Sequence, residues 1–350
     1  MNLSIKYTDA AILVEQNKEL VVDKVQLPSK LDFGQVLVEV HVSGICGSQI
    51  GEINGAKGPD KYLPHLLGHE GCATVLSTGP GVKTLCKGDL VVLHWRKGVG
   101  IESETPNYTW RDNKVNAGWV TTFNKYAVVS ENRCTTIPKD TNKELAALFG
   151  CAITTGFGVI ENNAKLKIGE SIVVFGAGGI GLNIIQAASL SSAWPIIAVD
   201  LYDSRLELAK KFGATHTINS SKFDPKEMIS KIMNGNSLDV FIDNKGLPKI
   251  IEMGYEMVDK VGRVILVGVP RINSNINIYS LPLHFGKLII GSHGGESRPN
   301  IDIPRYLNLF NNGIWGIEGL ISERYNLKNI NSAISSMKNG QSVGRVIIYL

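Results

Sequence analysis

A chain of 350 residues exceeds what one hydrophobic core usually serves, so two cores are expected, and 43% hydrophobic against 19% charged residues describes a folding chain, not a disordered one. A net charge of +4, with Lys and Arg scattered among Asp and Glu, argues against nucleic acid as a partner, and no apolar run approaches the roughly 18 to 20 residues that span a bilayer. Met1 to Leu20 lacks the basic start and apolar core of a secretory leader, so a cytoplasmic protein acting on a small molecule, without a membrane partner, is expected. Five cysteines (Cys46, Cys72, Cys86, Cys134, Cys151) are an odd, widely spaced set with no CxxC pair. That excludes a local zinc knuckle, and any metal site must draw ligands from distant segments.

In chain order, the first 150 residues read as short β segments broken by Gly and Pro: Ala11 to Val14, Val36 to Val42, Ala73 to Ser77, Leu90 to Leu93 and Thr121 to Val129. This rhythm predicts a mostly antiparallel, barrel-like unit. From about Ile153 strand and helix alternate, with buried-strand runs at Ser171 to Phe175, Ile196 to Val199, Val240 to Ile242 and Val264 to Val267, and helices at Ile180 to Leu190 and Ser204 to Phe212. Regular alternation predicts a parallel sheet covered on both faces, because parallel connections need long crossovers. Helical segments around Pro304 to Phe310 and Leu327 to Met337 and a terminal strand from Val343 to Leu350 are assigned back to the first unit. The expected division is therefore 1–153 with 293–350, and 154–292.

The loop Gly176-Ala-Gly178-Gly179-Ile180-Gly181 follows an apolar strand and opens a helix. Gly176 permits a tight turn, Gly178 lets a pyrophosphate approach the backbone, and Gly181 allows close helix packing. Gly179 and Ile180 stand at the helix start, where free N–H groups meet an anion. Nineteen residues after Gly181, Asp200 ends the next strand, where a carboxylate accepts the adenosine ribose hydroxyls and disfavours a 2′-phosphate. NAD is the expected cofactor, and Arg205 lies close enough to serve the same ribose.

Three further motifs stand apart: Gly44-Ile-Cys46-Gly-Ser48, Gly68-His69-Glu70 and Phe149-Gly-Cys151. With the glycine loop, they make the chain resemble the zinc-dependent alcohol dehydrogenase branch of the medium-chain dehydrogenase/reductase family over essentially its whole length. The resemblance implies an α/β protein with a GroES-like, β-barrel-type catalytic domain and a Rossmann coenzyme domain with a doubly wound parallel sheet. It implies Cys46, His69 and Cys151 as ligands of one catalytic zinc with an open fourth position, a donor set suited to that metal. Glu70 resembles the carboxylate that approaches the metal during ligand exchange, and Ser48 the hydroxyl that carries the alcohol proton away. Val267 and Val269 would line the nicotinamide pocket, and Arg345 would meet the pyrophosphate.

The chain also departs from its relatives. The stretch from about His94 to Gly118 lacks the four cysteines of a structural zinc lobe, so a second zinc is not expected. Gln49 stands where relatives often place an aspartate near the ligating histidine, which puts that imidazole's support in doubt. Gly51 replaces a histidine that passes the proton onward.

The implied reaction stabilises an alkoxide beside zinc and transfers hydride to the nicotinamide C4, which requires both groups in one cleft between domains. The substrate is an alcohol or carbonyl compound. Trp95 is expected to wall its pocket, and Arg96 or Lys97 to meet a polar or anionic group of a polyol, sugar or phosphorylated alcohol, although a solvated basic turn fits those two residues as well. Two other readings remain: a metal-free NADPH quinone or enone reductase of the same fold, opposed by Asp200 and Cys46, and a non-catalytic NAD(H)-binding protein, supported by Gln49 and Gly51. By the same resemblance the chain forms a homodimer or homotetramer through the Rossmann domain, at the Lys287 to Gly291 segment.

Overall fold

The computed structural model describes residues 3–350; Met1 and Asn2, at the head of the expected first domain, lie outside the described residues. The chain divides into two compact units. Unit 1 comprises Met1–Cys151, Arg298–Ile317 and Ile321–Leu350, and unit 2 comprises Ala152–Ser297 and Glu318–Leu320. Against the expected boundaries, the return to the first unit falls at Arg298 in place of residue 293, and three residues within the tail group with unit 2.

The first ten strands belong to unit 1: β1 (Tyr7–Leu13), β2 (Val21–Gln26), β3 (Gln35–Ile45), β4 (His65–Leu66), β5 (Glu70–Thr78), β6 (Leu90–His94), β7 (Tyr108–Trp110), β8 (Asn113–Val115), β9 (Tyr126–Ser130) and β10 (Cys134–Ile137). Two helices accompany them, α1 (Gly47–Ile53) and α2 (Lys143–Leu148). Unit 2 carries α3 (Ala152–Gly158), β11 (Ile172–Phe175), α4 (Gly179–Leu190), β12 (Ile196–Asp200), α5 (Asp203–Lys211), β13 (His216–Asn219), α6 (Pro225–Met233), β14 (Leu238–Asp243), α7 (Pro248–Met257), β15 (Val258–Leu266) and β16 (Leu288–Gly291). The tail returns to unit 1 with α8 (Pro299–Asn311), β17 (Ile321–Asn326), α9 (Ile330–Lys338) and β18 (Arg345–Tyr349).

Unit 1 contains a five-stranded sheet, β4-β1-β2-β7-β8, and a seven-stranded one, β10-β6-β5-β3-β18-β17, with β9 also pairing β3. Pairing is antiparallel except between β17 and β18. The tail is woven in at β18, whose Val346 lies opposite Ile45 of β3. Leu13, Ile45 and Phe123 pack there with Ile330 and Ile334 of α9 and with Val346 and Ile348, all buried. Each aliphatic side chain withdrawn from water in this way contributes about 1.5–3 kcal/mol, which ties the tail to the first unit.

The expected strand Thr121 to Val129 needs correction, since β9 begins only at Tyr126. The preceding residues spend their polar groups elsewhere: the amides of Thr122 and Phe123 both donate to the Leu67 carbonyl at 3.1 Å, and the Thr122 hydroxyl meets that of Ser43 at 2.6 Å.

Unit 2 is built on a six-stranded parallel sheet in the order β13-β12-β11-β14-β15-β16. The run Ile172-Val-Val-Phe175 is buried at every position, as a central parallel strand covered on both faces must be. Val173, Ile197, Phe241 and Val264 form its core with Ile229 and Tyr255 from α6 and α7. The carboxyl ends of β11, β12, β14 and β15 lie along one edge of the sheet, where ligands of open α/β sheets bind.

Candidate active site

In unit 1, Cys46 closes β3 and caps α1, His69 sits between β4 and β5, and Cys151 follows α2. The turn before His69 demands Gly68: its φ is +92°, and a Cβ there would lie 2.3 Å from the Thr122 hydroxyl oxygen. The ligating atoms of Cys46, His69 and Cys151 all lie within 4.8 Å of one another, and the two sulfurs are 3.9 Å apart and unbonded.

Several observations fit this triad to a metal. His69 Nε2 is buried without a hydrogen-bond partner, a state that costs about 1–3 kcal/mol unless something occupies the gap. The Cys46 thiol is drawn well below its ordinary range by its hydrogen bond with Cys151, against the opposing effect of burial, with the neighbouring His69 ring and Arg345 guanidinium adding to the shift. Burial instead pushes Cys72 up to about 12 and Cys134 higher still, as expected for inert core thiols. Another set, Glu52, Asp60 and His65, also gathers within 4.8 Å, but there His65 Nε2 and the Asp60 carboxylate satisfy each other at 2.8 Å.

Glu70 is fully buried beside His69, and its carboxylate pairs with Arg345. Arg345 is itself only 3% exposed and sits in unit 1, with its guanidinium against both Glu70 and Cys46. Burial lowers its affinity for the proton, and the neighbouring Cys46 opposes that shift. Gln49 serves as a cap: its side-chain carbonyl accepts the Cys46 amide at 2.9 Å, while its buried Nε2 finds no partner among the described residues. Ser48 lies half-buried in the first turn of α1, on the segment that carries Cys46. The Trp95 ring stands 6.4 Å from that of His69, and the Arg96 guanidinium covers Trp95 at 5.8 Å. Lys97 is exposed.

In unit 2, Gly178 caps α4, and a Cβ on it would meet no protein atom within 4 Å, so the face above the loop is open to a ligand. Gly179 and Ile180 form the first turn of that helix. At Gly181 a Cβ would lie 1.9 Å from the Gly176 carbonyl oxygen, which enforces glycine. Asp200 Oδ2 accepts the Ala177 amide at 2.8 Å, linking the ribose-side carboxylate to the loop itself. Its Oδ1 accepts the amides of Leu201 and Tyr202, with Arg205 at 3.7 Å. Val267 and Val269 follow β15 on the same edge of the sheet. Sequence reasoning missed Asn244 and Lys245, which lie against the glycine loop from the end of β14; a polar pair after a strand has no local signature.

The family model for the alcohol dehydrogenase GroES-like domain matches residues 32–139, and that for zinc-binding dehydrogenases matches residues 179–312, together more than half of the chain. The chain belongs to the zinc-dependent medium-chain dehydrogenase family. Family relatives include an alcohol dehydrogenase class-3 of Cereibacter sphaeroides, 29% identical over 98% of this chain and all of its own length. An S-(hydroxymethyl)glutathione dehydrogenase of Paracoccus denitrificans has the same identity and coverage. Among solved family structures, benzyl alcohol dehydrogenase of Acinetobacter calcoaceticus matches with a TM-score of 0.88 at 28% identity, covering 99% of this chain and 100% of that one. The two units of this chain are accordingly the family's GroES-like and Rossmann domains.

Proposed function

We propose that this protein is a zinc-dependent oxidoreductase that moves hydride between NAD(H) and an alcohol or carbonyl compound. The observation that carries the reading is the convergence of buried Cys46 and Cys151 on partly buried His69, with its unsatisfied imidazole nitrogen and acidified thiol. These three residues would hold the zinc, and the loop Gly176 to Gly181 with Asp200 and Arg205 would hold NAD. When bound, zinc supplies Lewis acidity that eases loss of the alcohol proton, and NAD accepts the hydride.

The chain's own residues do the rest. The Ser48 hydroxyl relays the alcohol proton, accepting it while its own proton passes to solvent water. Glu70, neutralised by Arg345, keeps the immediate surroundings of the two thiolates from accumulating negative charge. Gln49 fixes the backbone of Cys46 through its cap hydrogen bond. Val267 and Val269 flank the nicotinamide, and Asp200 accepts the ribose hydroxyls.

Trp95 walls the substrate pocket. Arg96 and Lys97 beside it favour an alcohol carrying a polar or anionic group, in keeping with relatives named for a glutathione adduct. Turnover of plain primary alcohols should therefore be poorer than that of carboxylated or phosphorylated ones; a clear preference for plain aliphatic alcohols removes that part of the reading. Among the described residues no helix is long and apolar enough to cross a membrane, and we assign the protein to the cytoplasm. We also assign a homodimer or homotetramer, because β16 is an edge strand whose outer side has no partner strand among the described residues, with Tyr279, Leu281 and Phe285 exposed nearby. A monomer in light scattering would refute the oligomer.

The activity is tested by following NADH absorbance with alcohols, using NAD and NADP, on protein with metal and after chelation. Metal-dependent turnover with NAD supports the reading. Metal-independent turnover with NADPH would instead make the chain an enone reductase, and cofactor binding without turnover a non-catalytic binder.

A further inference from the structure

In the parallel sheet of unit 2, β14 lies beside β11 on the side opposite β12, so it ends next to Gly176 and away from Asp200. The exit, Asp243 to Gly246, is held rigidly. Buried Asp243 accepts the amides of Lys245 at 3.0 Å and Gly246 at 3.1 Å on one carboxylate oxygen. Its backbone carbonyl accepts those of Val267 and Gly268 at 2.8 and 3.0 Å. Asn244 Nδ2 donates to the Gly176 carbonyl at 3.2 Å. On the far side Gly268 seats so closely that a Cβ would lie 2.1 Å from the Gly246 nitrogen. The backbone of Lys245 therefore has a fixed place between the glycine loop and the segment that follows β15.

Its side chain lies along the loop. A Cβ at Gly176 would come within 2.8 Å of Lys245 Cδ and 3.4 Å of Cγ, so the aliphatic stem crosses the bare α-carbon of the first loop glycine. Lys245 is exposed; its charge acts on the buried Asp243 carboxylate, whose oxygens already accept backbone amides, and among the described residues its ammonium forms no ion pair within 4 Å. The loop's own contribution to an anion is the amide donors of α4 and a helix-end charge of roughly +0.5, which is less than a dinucleotide diphosphate carries.

We propose that Lys245 is a side-chain cation that neutralises the dinucleotide diphosphate, reaching it from the nicotinamide side of the glycine loop while Asp200 holds the adenosine ribose on the other. This rests on the NAD reading above. As a mobile ammonium on a fixed backbone, Lys245 acts as a point charge, so its contribution should be screened by salt.

The test uses the full chain and its Lys245→Met and Lys245→Arg variants, titrated calorimetrically with ADP-ribose and with AMP, which lacks the second phosphate. Lys245→Met should weaken ADP-ribose binding about ten-fold at low salt, and the difference should shrink at about 0.5 M NaCl, where the screening length falls to a few ångström. Lys245→Arg should restore affinity, and AMP should bind all three alike. Unchanged ADP-ribose affinity in Lys245→Met, an equal loss for AMP, or failure of Lys245→Arg to rescue overturns the role of Lys245 while native binding persists. A native chain that binds neither probe nor NADH overturns the cofactor reading, and this proposal with it.

Discussion

Replacing Arg345 by Met removes the buried cation that pairs with the Glu70 carboxylate. Neither side chain has access to water: Glu70 is 0% exposed and Arg345 3%. A carboxylate stranded there is out of reach of solvent, so neither hydration nor screening relieves it. Breaking one partner of a buried ion pair costs about 3–5 kcal/mol, which for a unit of this size lowers the melting temperature by roughly 10 °C. Replacing both partners, as Glu70→Gln with Arg345→Met, removes the uncompensated charge and should recover most of that loss. The double-mutant cycle, read by urea unfolding with a probe in unit 1, should give a coupling energy of about 2–3 kcal/mol. Additive effects, or an Arg345→Met chain as stable as the native one, would show that the pair does not hold this pocket.

Burial lowers the pKa of His94 to about 4, so the folded state favours the neutral ring. Its stabilising contribution is complete above about pH 6.5 and is lost as the pH falls toward 4, a change of about 3 kcal/mol that His94→Gln should remove from the pH dependence of unfolding. An unaltered slope between pH 6.5 and 4 in that variant would contradict the buried, neutral assignment. Gly181→Ala places a methyl group against the Gly176 carbonyl, 1.9 Å from its oxygen. It should abolish NADH fluorescence enhancement while leaving zinc content unchanged; retained NADH affinity would mean that the loop is not the cofactor site.

Four strands of the parallel sheet, β11, β12, β14 and β15, were legible because each holds a short apolar run set off by helical periodicity, whereas β13, His216-Thr-Ile-Asn219, has no such run; the glycine loop was legible because turn, strand and helix occur in one continuous stretch. Cys46, His69 and Cys151 were legible through the order and spacing of their motifs, since no single one carries a metal signature. Long-range pairings were not. Nothing local in Arg345 announces Glu70, and the alternation of Thr121 to Val129 looks like a strand until the carbonyl of Leu67 claims two of its amides. Gln49 reads as the loss of a carboxylate, yet its carbonyl caps α1 at Cys46, a role visible only once the helix start is in place. Lys245 escaped notice because an exposed lysine after a strand is ordinary until its stem is found lying across Gly176.

Metal analysis of the purified chain by plasma mass spectrometry, native and with Cys46 and Cys151 both changed to Ser, bears most directly on the catalytic centre. The expected result is one zinc per native chain, removable by chelation and restorable, and none retained by the double variant. A native chain that neither contains nor takes up zinc, or a double variant that binds it as well, would contradict the assignment.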